Sequence, residues 1–172
     1  MRLRDLWARP DTRFIILFLA ILGTTFTVVA FRPVNDNFVV PYTSLIAQVS
    51  GAVLRIFGES ATVSGCLVSS PRFAVTIYNG CNGLVTSLIF VAGVLAFPTR
   101  PAAKLIGVVG GLLAIQVINL IRIVSLFYIG IFLPDLFNDA HIFVWQSLVI
   151  LAGVALWVIW ANRTALREET RP

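Results

Sequence analysis

The stretch from Leu105 to Leu133 is what most limits the fold of this chain, an apolar run interrupted only by Gln116, Asn119, Arg122 and Ser125 among obvious polar residues. Such a run pairs its backbone internally as a helix and is long enough for a bilayer, whose hydrocarbon core of about 30 Å needs roughly 20 residues. Three further runs read the same way. Phe14 to Phe31 follows Arg2, Arg4, Arg9 and Arg13; Leu84 to Phe97 ends at Pro98, Arg100, Pro101 and Lys104; and Ile142 to Trp160 precedes Arg163, Arg167 and Arg171. Basic residues collect on the cytoplasmic side of membrane proteins. If the four runs alternate in direction, all three basic flanks fall on one side, which predicts an N-in, C-in topology.

The expected fold class is therefore an all-α integral membrane protein of about four transmembrane helices, near 14–31, 84–97, 105–133 and 142–160, in a single domain over 1–172. A signal peptide ending near Val28, Val29 and Ala30 competes with a retained anchor for the first run, and the length of the run favours the anchor. Composition agrees with the membrane class, since only 12% of residues are charged against about 25% in soluble domains. The net charge of +5 sits beside the apolar runs, where it orients helices; no nucleic-acid partner is expected.

The segment 32–80 is more polar and is expected outside the membrane. Pro33, Asp36 and Pro41 break helix ahead of Ser44 to Phe57, whose Leu45, Ile46, Val49, Val53, Leu54 and Phe57 recur at helical spacing. That helix is read as amphipathic, too short to span, lying on the membrane or the bundle. A small β-hairpin follows, Ala61 to Ser69 and Arg72 to Tyr78, joined through Ser69, Ser70 and Pro71, with Phe73, Val75 and Ile77 alternating along one face. It delivers the chain to Asn79, Gly80, Cys81, Asn82 and Gly83.

Three distant residues then fall at one depth. Cys81 opens the second run and His141 the fourth, both on the outer side, while Arg122 stands eighteen residues past Lys104, a helical rise of roughly 27 Å. An arginine inside a membrane helix is costly and faces the bundle or a polar cavity. Gln116, Asn119, Arg122 and Ser125 are spaced by threes and share a helix face, which should point inward. A thiol, an imidazole and a guanidinium together suit acyl transfer: a cysteine nucleophile, a proton carrier and a cation for the oxyanion. Each residue also has a plainer reading, as an apolar filler, an interfacial histidine and a snorkelling anchor.

Other features are weighed alongside. A Cys66–Cys81 disulfide would make the pair structural or redox-active, and a non-enzymatic scaffold would use Arg122 and His141 only to pair helix ends. With a single histidine and no paired carboxylates nearby, no metal and no cofactor are expected. Gly107, Gly110 and Gly111 read as close-packing positions. Trp145, Trp157 and Trp160 read as interface and packing residues.

At these residues the sequence resembles the exosortase and archaeosortase family of membrane cysteine transpeptidases: Cys81, Asn82 and Gly83 at a helix start after a hairpin containing Gly65, then Asn119 and Arg122, then His141. Asn82 stands where serine is common in the family, and the compact size is similar to the short exosortase H group. The resemblance covers about Asp36 to Trp160. It implies Cys81, Arg122 and His141 as catalytic residues, with Asn82, Gly83 and Asn119 substrate-binding or supporting. It further implies a multi-pass protein of the bacterial inner membrane with its site on the outer face. The implied substrates are envelope proteins ending in a short motif, a transmembrane helix and a basic cluster, with the acceptor, water or another nucleophile, left open.

Overall fold

The computed structural model describes residues 9–169. Arg2 and Arg4 of the first basic flank and Arg171 of the last lie outside the described residues. Helix α1 runs Pro10–Ala30, and Phe31, extended at φ −65°, ψ 127°, turns the chain into α2, a helical run over Arg32–Ile56. Three short strands follow, β1 Thr62–Ser64, β2 Leu67–Ser69 and β3 Ala74–Thr76, and then α3 Leu84–Ala96 and α4 Pro101–Phe132. The last helix, α5, is regular over Gln146–Glu169 and is reached through a 3-10 turn at Pro134–Leu136, one α turn at Phe137–Asp139 and a π-turn at Ala140–Trp145. The molecule is an all-α membrane protein carrying a small antiparallel sheet.

Two expectations about the helices change. The helix expected from Ser44 begins twelve residues earlier, at Arg32, because neither proline breaks it. Pro33 lies in the first turn, where its missing N–H has no helical partner to lose. Before Pro41 the helix widens into a π-turn over Asn35–Val39, in which Val40 N–H bonds the Asn35 carbonyl, and the wider turn relieves the ring's clash with the preceding turn. At 25 residues the run is longer than the helix expected from Ser44 to Phe57, and it is long and apolar enough to cross a bilayer by length and composition alone. Conversely α3, expected to span, has 13 residues and rises about 20 Å, short of the hydrocarbon core. Among the described residues, the four helices long and apolar enough to cross are thus α1, α2, α4 and the run Pro134–Leu166.

The expected hairpin is a three-stranded meander in the order β1-β2-β3. The strand expected over Ala61 to Ser69 folds back on itself at Gly65 and Cys66, pairing Ser64 with Leu67. A positive φ of 59° at Gly65, with none at Cys66, is the pattern of a type II′ turn, which the twist of a hairpin favours. Arg72 joins this sheet to its surroundings: it pairs with Glu59 at 3.0 Å and lies over the Phe132 ring at 4.9 Å.

Two apolar clusters organise the packing. One joins α2, the sheet and the C-terminal part of α4 through Ala47, Leu54, Val68, Ile77, Ile123 and Phe127. The other joins α3, the N-terminal half of α4 and α5 through Phe90, Val94, Ile115 and the partly buried Trp157 and Trp160. Of the three glycines read as close-packing positions, Gly107 lies under Trp160 and Gly111 under the Phe90 ring, whereas Gly110 faces open space.

This contrast is testable by thermal unfolding in detergent. Gly111→Leu forces a side chain into the Phe90 ring and should destabilise by about 1–3 kcal/mol or more. Gly110→Ala meets nothing and should be neutral or slightly stabilising, since alanine in a helix gains about 0.5–1 kcal/mol over glycine.

Candidate active site

The loop from Tyr78 to Gly83 presents Cys81 against the cluster that joins α2, the sheet and α4. Cys81 N–H bonds the Tyr78 carbonyl at 2.8 Å, closing a tight turn immediately after the sheet. Asn82 then locks the loop from below. Its side chain is fully buried, donates to Thr43 Oγ1 at 2.8 Å and accepts from Leu84 N–H at 3.0 Å, capping the first turn of α3. Tyr42 OH adds a bond to the Asn82 carbonyl at 3.2 Å, so α2 holds the loop through two neighbouring residues.

Gly83 is the residue the loop cannot exchange. Its φ of 76° is left-handed, and a Cβ there would stand 3.0 Å from Gln116 Nε2 and 3.1 Å from Asn119 Cγ. Helix α3 therefore starts pressed against the polar stripe of α4. Within that stripe Asn119 and Arg122 are buried, at 0% and 2% exposure, and Gln116 bonds Ser87 Oγ at 3.3 Å. Ser125 departs from the expected inward stripe: its hydroxyl bonds the carbonyls of Ile121 and Arg122 in its own helix.

Cys81, Arg122 and His141 come together. Cys81 Sγ lies 2.8 Å from His141 Nε2, and Arg122 Nη2 lies 3.7 Å from the same sulfur. His141 stacks on Phe137, with ring centroids 6.0 Å apart, which holds the imidazole plane. The three open onto a cavity of about 360 Å³ walled by Phe73 to Tyr78 of the sheet side and by Leu126 and Phe137. Burial pushes the Cys81 thiol above its ordinary pKa, opposed by the Arg122 cation and by a backbone hydrogen bond at Tyr78.

The remaining residues singled out in the sequence sit differently. Asn82 and Asn119 are both fully buried, so neither presents surface to a substrate in this state. Cys66 is a free thiol, as is Cys81; it lies 4.0 Å from the Val40 carbonyl and lines a separate cavity with Thr43 and Asn79. Among the described residues no cluster of metal-ligating side chains occurs. Sequence reasoning missed Tyr42, Thr43 and Gln146. Gln146, which accepts from Arg122 Nη2 at 3.3 Å, carried a usable signal as a lone amide in an apolar run.

A family model for transmembrane exosortases matches residues 6–145 of the 172. The chain belongs to that family. Cys81, Arg122 and His141 all fall inside the matched stretch. Exosortases are membrane transpeptidases with a role in protein sorting, and the matched helices make this member a multi-pass membrane protein. No curated protein and no solved structure matches the chain.

The balance of charges around the sulfur gives a pH prediction. A thiol with a raised pKa is alkylated slowly at neutral pH, and its rate rises with pH through a midpoint above that of an ordinary cysteine, about 8.5. Arg122→Gln removes the cation that favours the thiolate, so the midpoint should move further up. Iodoacetamide labelling of Cys81 across pH, followed by mass spectrometry, reads the shift.

Proposed function

We propose that the chain is a cysteine transpeptidase or peptidase that cleaves the C-terminal sorting signals of envelope proteins through a Cys81 thioester. The observation that carries this reading is the sulfur of Cys81 held within 2.8 Å of an imidazole nitrogen and 3.7 Å of a buried guanidinium. Nε2 of His141, with the ring proton on Nδ1, takes the thiol proton as the sulfur attacks the scissile carbonyl carbon. The carbon–sulfur bond forms and the carbonyl oxygen becomes an oxyanion, which the Arg122 guanidinium stabilises. As the carbon–nitrogen bond breaks, His141 returns the proton to the leaving amine. Water then gives a cleaved product, and an amine or another nucleophile gives transfer.

The neutral thiol fits a mechanism in which the base acts during attack. Burial holds Cys81 protonated more than Arg122 favours the thiolate, so the proton moves to His141 only when a carbonyl is in place. The proposed location is the bacterial inner membrane, N-in and C-in, with the site on the outer face. The basic turn between α3 and α4, with Arg100 and Lys104, favours that orientation because it lies at the end of α3 opposite Cys81. The proposed substrates carry a short motif, an apolar helix and a basic cluster at the C-terminus.

Cys81→Ala is expected to abolish cleavage of a co-expressed substrate while leaving the bundle folded, and Cys66→Ser to keep most of it. Cleavage on a gel, with a hydroxylamine-sensitive adduct on the parent protein, checks both. Equal loss in the two variants, with inhibition by a reductant, would make the cysteines a working pair and overturn the thioester.

Arg122→Lys is expected to fail nearly as badly as Arg122→Ala, by about 100-fold or more in rate, because an ammonium keeps the charge but loses the planar fork. A lysine variant working at the parent rate would reduce Arg122 to a charge anchor.

A further inference from the structure

We propose that Gln146 is a positioning residue for this chemistry, whose side-chain carbonyl holds the Arg122 guanidinium against the Cys81 sulfur, and that the π-turn Ala140–Trp145 serves to set Gln146 and His141 on one helix face. The proposal rests on the reading of Cys81 as nucleophile and names how its cation is kept in place.

Helix geometry gives the first argument. His141 and Gln146 are five residues apart, and in a regular α-helix such residues point about 140° away from each other. In a π-turn the i to i+5 hydrogen bond stacks them one above the other. The turn at Ala140–Trp145 contains His141 and ends immediately before Gln146, its C-cap. As a result both side chains reach the same pair of groups: His141 Nε2 contacts Cys81 Sγ, and Gln146 Oε1 accepts from the Arg122 Nη2 that also faces Cys81 Sγ. The four side chains form a chain of three contacts, His141 to Cys81 to Arg122 to Gln146, whose two ends are carried by one helix start.

The second argument is the space on either side of the guanidinium. Arg122 lines the cavity of about 360 Å³ that holds Cys81 and His141. It also lines a second one of about 140 Å³, with Gly80, Gly83, Thr86 and Gln146 at its walls. A long side chain with room on both sides needs a fixed acceptor to stay on one. Gln146 supplies it, since Arg122 Nε makes no hydrogen bond among the described residues and Nη2 bonds only the thiol and the amide.

The third argument is the choice of an amide. A carboxylate at this position would form a charge-assisted pair with the guanidinium and take up the positive charge that the sulfur and the oxyanion require. A neutral acceptor fixes the orientation and leaves the charge available. The ionisable side chains in contact with the sulfur are Arg122 from α4 and His141 from the π-turn, while Tyr78 lines the same cavity and Tyr42 of α2 reaches only the Asn82 carbonyl.

The test uses the full chain in detergent, in a Cys66→Ser background, with iodoacetamide labelling of Cys81 measured across pH. Gln146→Glu keeps the size of the side chain and should move the labelling midpoint upward, in the direction of Arg122→Gln, slowing labelling at pH 8 by about 3–10-fold. Gln146→Ala should move it the same way and lower the cleavage rate by at least about 10-fold with KM little changed. If Gln146→Ala loses its monodisperse gel-filtration peak, Gln146→Glu alone decides. A midpoint unchanged in Gln146→Glu while Arg122→Gln moves it would overturn the positioning role, as would a midpoint that neither variant moves. Labelling needs no substrate, so a parent protein that cleaves nothing counts against the transpeptidase reading, and an unmoved midpoint counts against Gln146.

Discussion

The structure depends on a buried positive charge with no carboxylate to neutralise it. Arg122 is 2% exposed in the middle of an apolar helix, and the ion pair present among the described residues, Arg72 with Glu59, lies elsewhere. Burying a guanidinium without an anion is expensive unless its donors are satisfied and its surroundings polar. The chain meets this with neutral partners: a thiol from the loop before α3 and an amide from the start of α5. Both must be carried to α4 from distant sequence, so stabilising Arg122 and assembling the constellation are one folding problem. A charge left without its own counter-ion is also one that a developing anion can use.

The two apolar clusters explain where that point lies. The cluster built on Phe90, Val94 and Ile115 fixes the lower part of α4 to α3 and α5, while the cluster built on Leu54, Val68 and Phe127 fixes the upper part to α2 and the sheet. Asn119 and Arg122 fall between Ile115 and Ile123, buried where the two clusters meet along α4. Because α3 rises only about 20 Å, its start does not reach the level where a full span would end. Cys81 at that start is half-buried, packed against the cluster that joins α2, the sheet and α4.

Much of this was legible because membrane physics speaks through composition. Apolar runs and basic flanks located three of the four long helices, and the expense of an intramembrane arginine pointed to Arg122 before any contact was known. What was illegible depended on backbone detail. Pro33 and Pro41 read as breakers, and only the π-turn at Asn35–Val39 shows how α2 runs through them. The bounds of α3 were read to within one residue, but so short a run was taken for a span because an apolar stretch flanked by turns looks like one when hydropathy is all one has. Gln146 offered a signal as a lone amide in an apolar run, but helical periodicity puts it on the far face from His141, and a single π-turn cancels that periodicity.

The departure at Asn82 shows how local substitutions are absorbed without touching the chemistry. A serine there offers one hydroxyl, whereas the Asn82 amide both donates to Thr43 and accepts from Leu84 N–H. The amide thus ties the loop to α2 and caps α3 at once, and it does so while fully buried. Gly83 completes the arrangement, since its left-handed backbone lets the helix begin against Asn119 without a side chain between them. With the two residues that follow Cys81 so restrained, the geometry around the sulfur turns on the long side chain of Arg122 and on Gln146, its single amide partner.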